Sequence, residues 1–248
     1  MPHDIKIEIC CGSYEDVLAA KEAGAHRVEL NSALFLGGLT PSMGNFLKAM
    51  EIPDIEIIPM VRPRAAGFCY SDAEYETMLE DARLFIENGA HGLAFGFLSA
   101  DCTVDIKRTT EFVELIGSKT AVFHRAFDLT SDPYEALETL IQCGVTRVLT
   151  SGQAPSVPEG MEIIRKLVER AQGRIEILPG AGVRASNIAQ IIRYTKVNQI
   201  HFSASVKQVE PSGQNNRGLH FGGAVYLPED EISVTSTEKI TSVMAALE

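Results

Sequence analysis

The 248-residue chain has no apolar run near the roughly 18 to 20 residues that a membrane-spanning helix needs, so a helical membrane protein is excluded. It also lacks a secretory start. Met1 to Asp4 leads directly into Ile5-Lys6-Ile7-Glu8, without a basic stretch, an apolar core and a small-residue cleavage site. Cysteine is sparse and odd in number, at 10, 11, 69, 102 and 143. That excludes a disulfide scaffold and leads to the expectation of reduced thiols in the cytoplasm. Positive charge is in deficit, with 22 Lys and Arg against 33 Asp and Glu and a net charge of -11. A field of that sign repels phosphate backbones and anionic headgroups. No nucleic acid and no membrane surface is therefore expected as a partner, and a small-molecule or metal ligand is.

What is present is an ordinary soluble composition, 45% hydrophobic and 22% charged, laid out in a rhythm. Strand-like runs fall at 5–11, 27–31, 55–62, 92–97, 120–127, 147–151, 174–179 and 199–203. Helical spacing fills 14–23, 43–50, 73–88, 105–116, 133–142, 160–171 and 185–195, and a last helix closes the chain within 235–248. Ser13, Ser71 or Asp72, Ser131 or Asp132, and Ser186 stand at helix starts, and Gly24, Gly89, Gly117, Gly144 and Gly173 just past helix ends. Three helices end in related phrases: Glu22-Ala-Gly-Ala-His-Arg-Val, Glu87-Asn-Gly-Ala-His-Gly-Leu and Gln142-Cys-Gly-Val-Thr-Arg-Val. Eight βα units of 31 residues predict one α/β domain over 1–248, a TIM-type (β/α)8 barrel. A doubly wound open sheet is the alternative, and the stretch 206–231, rich in Gly and Pro, reads as an irregular loop after strand eight.

In such a barrel chemistry gathers at the C-terminal strand ends. Alternation along strand one sends Ile5, Ile7, Ile9 and Cys11 to the helices, and Lys6, Glu8 and Cys10 inward. Strand two likewise projects Arg27, Glu29 and Asn31 inward. Buried carboxylates need partners, and Arg62 and His124 are the expected ones. Glu8 or Glu29 would then be a base, His124 an acid and Arg62 an electrostatic stabiliser. The other reading is a buried ion-pair plug. Pro179-Gly180-Ala181-Gly182-Val183-Arg184 after strand seven and Ser203 after strand eight occupy the usual place of a phosphate site. Gly180, Gly182, Arg184 and Ser203 are the candidate anion binders, against the reading of a tight turn. Thr150-Ser151-Gly152-Gln153 offers further donors or simply a polar loop.

Cys10 and Cys11 are thiols that would suit Cu(I), although neighbours on a regular strand point to opposite faces. Cys69 could approach through the fold, while Cys102 and Cys143 read as loop and helix positions. Of the histidines at 3, 26, 91, 124, 201 and 220, only His124 and His201 are placed to face the interior.

Several phrases in register resemble the CutC family: Glu8-Ile9-Cys10-Cys11, Gly24-Ala25-x-Arg27-Val28-Glu29-Leu30, Gly37-Gly38-Leu39-Thr40-Pro41-Ser42, Arg62-Pro63-Arg64, Phe123-His124-Arg125-Ala126-Phe127-Asp128, Leu149-Thr150-Ser151-Gly152-Gln153 and Gly180-Ala181-Gly182-Val183. The resemblance implies a TIM-barrel-like fold, a cytoplasmic location and copper homeostasis, with Cu(I) held at the places of Cys10 and Cys11. It also implies a further cysteine where this chain has Asn31. Two functions are thus expected: a copper-homeostasis protein, or an isomerase, lyase or aldolase acting on a phosphorylated or carboxylated metabolite. A homodimer is the mild expectation for a barrel of this size.

Overall fold

Short runs rich in Ile, Val, Leu and Phe, buried on both faces, can only be parallel strands covered by helices. A computed structural model describes residues 5–214, 219 and 231–247. In the first half, strands Lys6–Cys11 (β1), Arg27–Leu30 (β2), Glu56–Pro59 (β3) and Gly92–Phe95 (β4) alternate with helices Tyr14–Glu22 (α1), Met43–Met50 (α2), Asp72–Glu87 (α3) and Ile106–Ile116 (α4). In the second, Thr120–Phe123 (β5), Arg147–Thr150 (β6), Glu176–Pro179 (β7) and Gln199–Phe202 (β8) alternate with Pro133–Gln142 (α5), Val157–Ala171 (α6) and Ile188–Thr195 (α7). A hairpin of Ser205–Val209 (β9) and Glu231–Thr235 (β10) precedes Thr237–Ala245 (α8).

Parallel ladders run in the orders β3-β2-β1-β8 and β4-β5-β6-β7. Single parallel bridges, Met60 to Ala94 and Gly180 to His201, join the two half-sheets into a TIM-type barrel. Ile58, Met60, Ala94, Val122, Leu149 and Leu178 form a small apolar cluster within it. Ile7, Ile9, Cys11, Val28 and Leu30 belong to the larger core between strands and helices.

The three related phrases perform one local task. His26 and His91 accept the N–H groups of Ile7 and Ile57 through Nδ1 at 3.1 Å, and Thr146 Oγ1 accepts that of Ala121 at 3.0 Å. Each ties the entry of one strand to the start of the preceding one.

Several boundaries depart from expectation; strand three, for one, ends at Pro59 rather than at 62. Strand five stops at Phe123, because His124 Nδ1 accepts the Ala126 N–H and starts a 3-10 turn over Arg125–Leu129. Helix α6 starts three residues early, at Val157. Helix α7 starts at Ile188, because Asn187 Oδ1 takes the Arg184 N–H at 2.8 Å and its Nδ2 donates to Gly182 O at 2.9 Å. The supposed loop 206–231 is not irregular at its ends, since β9 and β10 pair there, antiparallel, in five register positions. Residues 215–218 and 220–230 lie outside the described residues, as do His3 and His220. The hairpin is fastened to the barrel by Asp16, whose two oxygens accept the N–H groups of Thr235 at 2.6 Å and Gly12 at 2.8 Å.

Candidate functional site

At the C-terminal ends of the strands lies a cavity of about 1430 Å³. Cys10, Glu29, Arg62, His124, Gly180, Gly182, Arg184, His201 and Ser203 all line it. Glu8 does not. It sits one layer below, because alternation makes it share the inward face with Cys10 nearer the start of β1.

Glu8 is 1% exposed and fully engaged. One oxygen accepts from Arg27 Nε, and the other meets His201 Nδ1 at 2.8 Å. Burial disfavours its charge, yet Arg27 outweighs burial with help from His201 and Arg147, and the carboxyl is held down to about 2. Glu8 is therefore a permanent anion that orients His201. The expected partnership of the acids with Arg62 is corrected: Arg27, on the neighbouring strand, takes that place.

Glu29 has the opposite fate. It is 4% exposed, and its Oε1 has no hydrogen-bond partner among the described residues. Its Oε2 accepts from Asn31 Nδ2 at 3.0 Å and from the Cys10 thiol at 3.8 Å. Burial, and then the nearby Glu8 charge, raise its proton affinity against the pull of His201. Burial also works against the charge of His201, but the Glu8 hydrogen bond and the Glu29 and Glu8 carboxylates prevail and raise its pKa. Two buried carboxylates of opposite proton affinity thus stand one layer apart, a pattern that assigns different tasks to like groups.

Cys10 and Cys11 do not converge. Cys11 is wholly buried among apolar residues on the helix side, while Cys10 faces the cavity. Burial, together with Glu29 beside Cys10 and Asp16 near Cys11, pushes both thiols well above their ordinary range. Cys69 and Cys102 are exposed, Cys143 is buried, and all five are free thiols. The set that does converge is Cys10, Glu29 and His201, with one donor atom each lying within 4.8 Å of one another. Asn31, where the resemblance implies cysteine, reaches both Cys10 Sγ at 3.6 Å and Glu29.

Arg62 is 6% exposed and, among the described residues, makes no ion pair with a carboxylate. Its terminal nitrogens donate to the carbonyls of Leu36, Gly38 and Ala66 at 2.8–3.1 Å, and its Nε has no partner. The guanidinium lies 5.0 Å from the Phe68 ring centroid. His124 is 3% exposed, and its Nδ1 is committed to accepting from Ala126. Burial and then Arg62 lower its pKa to about 3. It is neutral, carries its proton on Nε2 and is no acid near neutral pH. That Nε2 also lacks a partner. The ring fits only because residue 96 is glycine: a Cβ there would come within 2.6 Å of His124 Cε1.

Gly180, Gly182, Arg184 and Ser203 meet at one side of the mouth. Ala181 at φ 103° and Gly182 at φ 71° turn the chain sharply, a conformation of the left-handed region that is costly for alanine. The start of α7 lies beyond this turn, so the candidate anion binders are loop atoms and the Arg184 side chain rather than a helix end. The donors of Thr150-Ser151-Gly152-Gln153 are mostly consumed. Asp128 accepts from Thr150 Oγ1, from Ser151 N and Oγ, and from Gln153 N, all at 2.5–3.1 Å. Asp128 organises this loop and was not singled out in the sequence, although it closes the phrase Phe123-His124-Arg125-Ala126-Phe127-Asp128 that carries the family resemblance.

Among the described residues no helix is long and apolar enough to cross a membrane. The pattern of the CutC family matches residues 5–206. A CutC family protein of Treponema denticola is 54% identical over 98% of this chain and 99% of its own. A solved structure from Streptococcus agalactiae, named for copper homeostasis as CutC, is 33% identical, with a TM-score of 0.76 over 80% of this chain and 98% of its own. The phosphoribosyl anthranilate isomerase of Thermococcus kodakaraensis, at 16% identity, shares the fold with a TM-score of 0.56 over 98% of this chain and 99% of its own. With a family pattern covering most of its length and a relative above half identity along nearly all of it, this chain belongs to the CutC family.

Proposed function

We propose that the barrel, read as one cytoplasmic domain, is an acid–base enzyme acting on a small phosphorylated or carboxylated metabolite at its C-terminal mouth. The observation that carries this reading is Glu29: a buried carboxyl of raised proton affinity, with one free oxygen, lining a large cavity. A carboxyl in that state takes and returns a proton near neutral pH more readily than an exposed one. His201, fixed by Glu8, is its neighbour and proton-transfer partner. Gly180, Gly182, Arg184 and Ser203 would hold the anionic group of the metabolite. The reaction class is proton transfer next to a carbonyl, common to isomerases and aldolases. Solvent-deuterium exchange into dihydroxyacetone phosphate and related hydroxycarbonyl phosphates, followed by NMR, tests it. Wild-type protein is expected to catalyse exchange and Glu29→Gln to lose about 10²–10⁴-fold of it. Absence of exchange across such compounds, with no thermal shift from any of them, overturns the reading.

Copper is the second reading, supported by the name borne by the Streptococcus agalactiae structure and by the convergence of Cys10, Glu29 and His201. The donor set does not fit the expected Cu(I) site. Cu(I) selects thiolates, and here one thiol faces the cavity beside a carboxylate while the other lies across the sheet. One thiol, one carboxylate and one imidazole suit a borderline divalent ion better. Anaerobic Cu(I) titration decides the matter. Affinity unchanged in Cys10→Ser/Cys11→Ser removes the cysteine-pair site, and loss in Cys10→Ser alone restores a role for copper.

A further inference from the structure

Two buried N–H donors at the β3–β5 side of the cavity have no partner among the described residues: Arg62 Nε and His124 Nε2. Both side chains are more than nine-tenths buried, and both line the cavity. An unmade hydrogen bond of this kind costs about 1–3 kcal/mol, more beside a charge, so two together call for an acceptor. His124 Nε2 has no local acceptor, and the Tyr70 hydroxyl, which comes near Arg62, is itself buried without a partner at hydrogen-bond geometry. The other guanidinium nitrogens of Arg62 are bound to three loop carbonyls, which lock the fork in place. The ring of His124 is locked by the Ala126 N–H and by contact across Gly96. Phe68 lies against both groups, 5.0 Å from the guanidinium and 4.8 Å from the imidazole, centroid to centroid. It stands on the loop between β3 and α3, where Ala66 has φ 70° and Gly67 is exposed.

We propose that Arg62 Nε and His124 Nε2 form an oxyanion subsite, covered by Phe68 in this state, that binds a carboxylate or enolate oxygen of the substrate. The proposal rests on the reading of the mouth as a metabolite site and narrows its substrate class. The loops after β7 and β8 take one anionic group, and the Arg62–His124 pair takes a second oxygen function across the cavity. The substrate is then two-headed, with a phosphate or carboxylate at one end and a carboxylate or carbonyl at the other, and with Glu29 beside the intervening carbons. A neutral imidazole suits this position. It donates to a developing oxyanion without surrendering its proton, while Arg62 supplies the charge.

Binding of three probes to the full chain tests the proposal: inorganic phosphate, glycolate and phosphoglycolate, by calorimetry and by NMR of ¹⁵N-histidine-labelled protein. Wild-type protein is expected to bind phosphoglycolate at least tenfold tighter than phosphate, about 1.4 kcal/mol. Glycolate and phosphoglycolate should shift the His124 Nε2 resonance. His124→Asn keeps an acceptor near the Ala126 N–H but has no donor at Nε2. It should lose the tenfold gain and leave phosphate affinity within twofold. Arg62→Met should behave alike. Because Arg62 also holds loop carbonyls, that variant counts only if its thermal unfolding remains cooperative, and His124→Asn carries the test otherwise. A gain that persists in His124→Asn, or phosphate binding in wild type without any gain, overturns the subsite and leaves the anion loops standing. A His124 shift with glycolate in the absence of phosphate binding supports the subsite and overturns the anion loops. No binding of any probe overturns both.

Discussion

Glu8 and Glu29 show how far one residue's chemistry depends on a single step along a barrel wall. Glu8 is ionised well below its ordinary 4.5, so its contribution to stability is present above that value and is lost as the pH falls towards about 2. Glu8→Gln leaves the buried Arg27 with only the more distant Glu56 carboxylate, at 3.8 Å, and a loss of about 3 kcal/mol is expected at neutral pH. Denaturant melts between pH 6 and 2 should show the gap closing below 4.5. Glu29 has the opposite sign. Its folded form holds the proton more tightly, so its contribution is favourable below the unfolded value and is lost as the pH rises through the raised one. Glu29→Gln is therefore expected to be at least as stable as wild type above the raised value while losing most of the proton transfer. A destabilised Glu29→Gln that retains full exchange activity would contradict both statements. Strand alternation alone sent these two acids, Cys10, Asn31 and His201 inward, and that much was legible in the sequence. Which cation each acid meets was not. Arg27 stands within β2 and Arg62 three residues past the end of β3, and the register, with Glu8 opposite Arg27, decides the pairing. Whether a histidine is an acid or a neutral donor depends on the backbone turn behind it, which no residue pattern around His124 announces.

At the scale of elements, the rhythm of caps and apolar runs was enough to place eight strands and their helices. The capping box joining Ser71 and Glu74 and the Asp132 cap before Pro133 are signals of local chemistry that tertiary contacts did not override. Legibility failed where an element depends on distant partners. Val206, Gln208 and their neighbours pair only with residues 22 to 30 positions further on, so β9 and β10 carry little local signal. What fastens that hairpin is also distant. Asp16, in the first turn of α1, bonds a backbone N–H 219 residues away. Asp16→Ala leaves two half-buried N–H groups without their acceptor, and a loss of about 1–3 kcal/mol for the two bonds is expected. Limited proteolysis should cut earliest near β10 in that variant. Cleavage and denaturation midpoints equal to wild type would show that the strand pairing alone suffices.

The barrel as a whole is two half-sheets joined at two seams, each marked by a single bridge. Ladders within each half run over two to four residues, whereas the β7–β8 seam rests on the Gly180–His201 bridge. Hydrogen exchange should therefore show β8 amides that face β7 opening before the shared amides of β1 and β2, by tenfold or more in rate. Uniform protection around the barrel would refute that order. Both site loops of the proposed phosphate end, after β7 and β8, border this weaker seam, so the part that meets the ligand is also the part that yields most readily. The opposite wall is set differently. Residue 96 has no side chain, and the imidazole of His124 occupies the room this leaves. The room for the proposed oxyanion donor is kept by a missing methyl group rather than by any residue that could be counted among the reactive ones. Gly96→Ala would then be expected to displace that ring, and with it the proposed subsite, while every residue that lines the cavity keeps its identity.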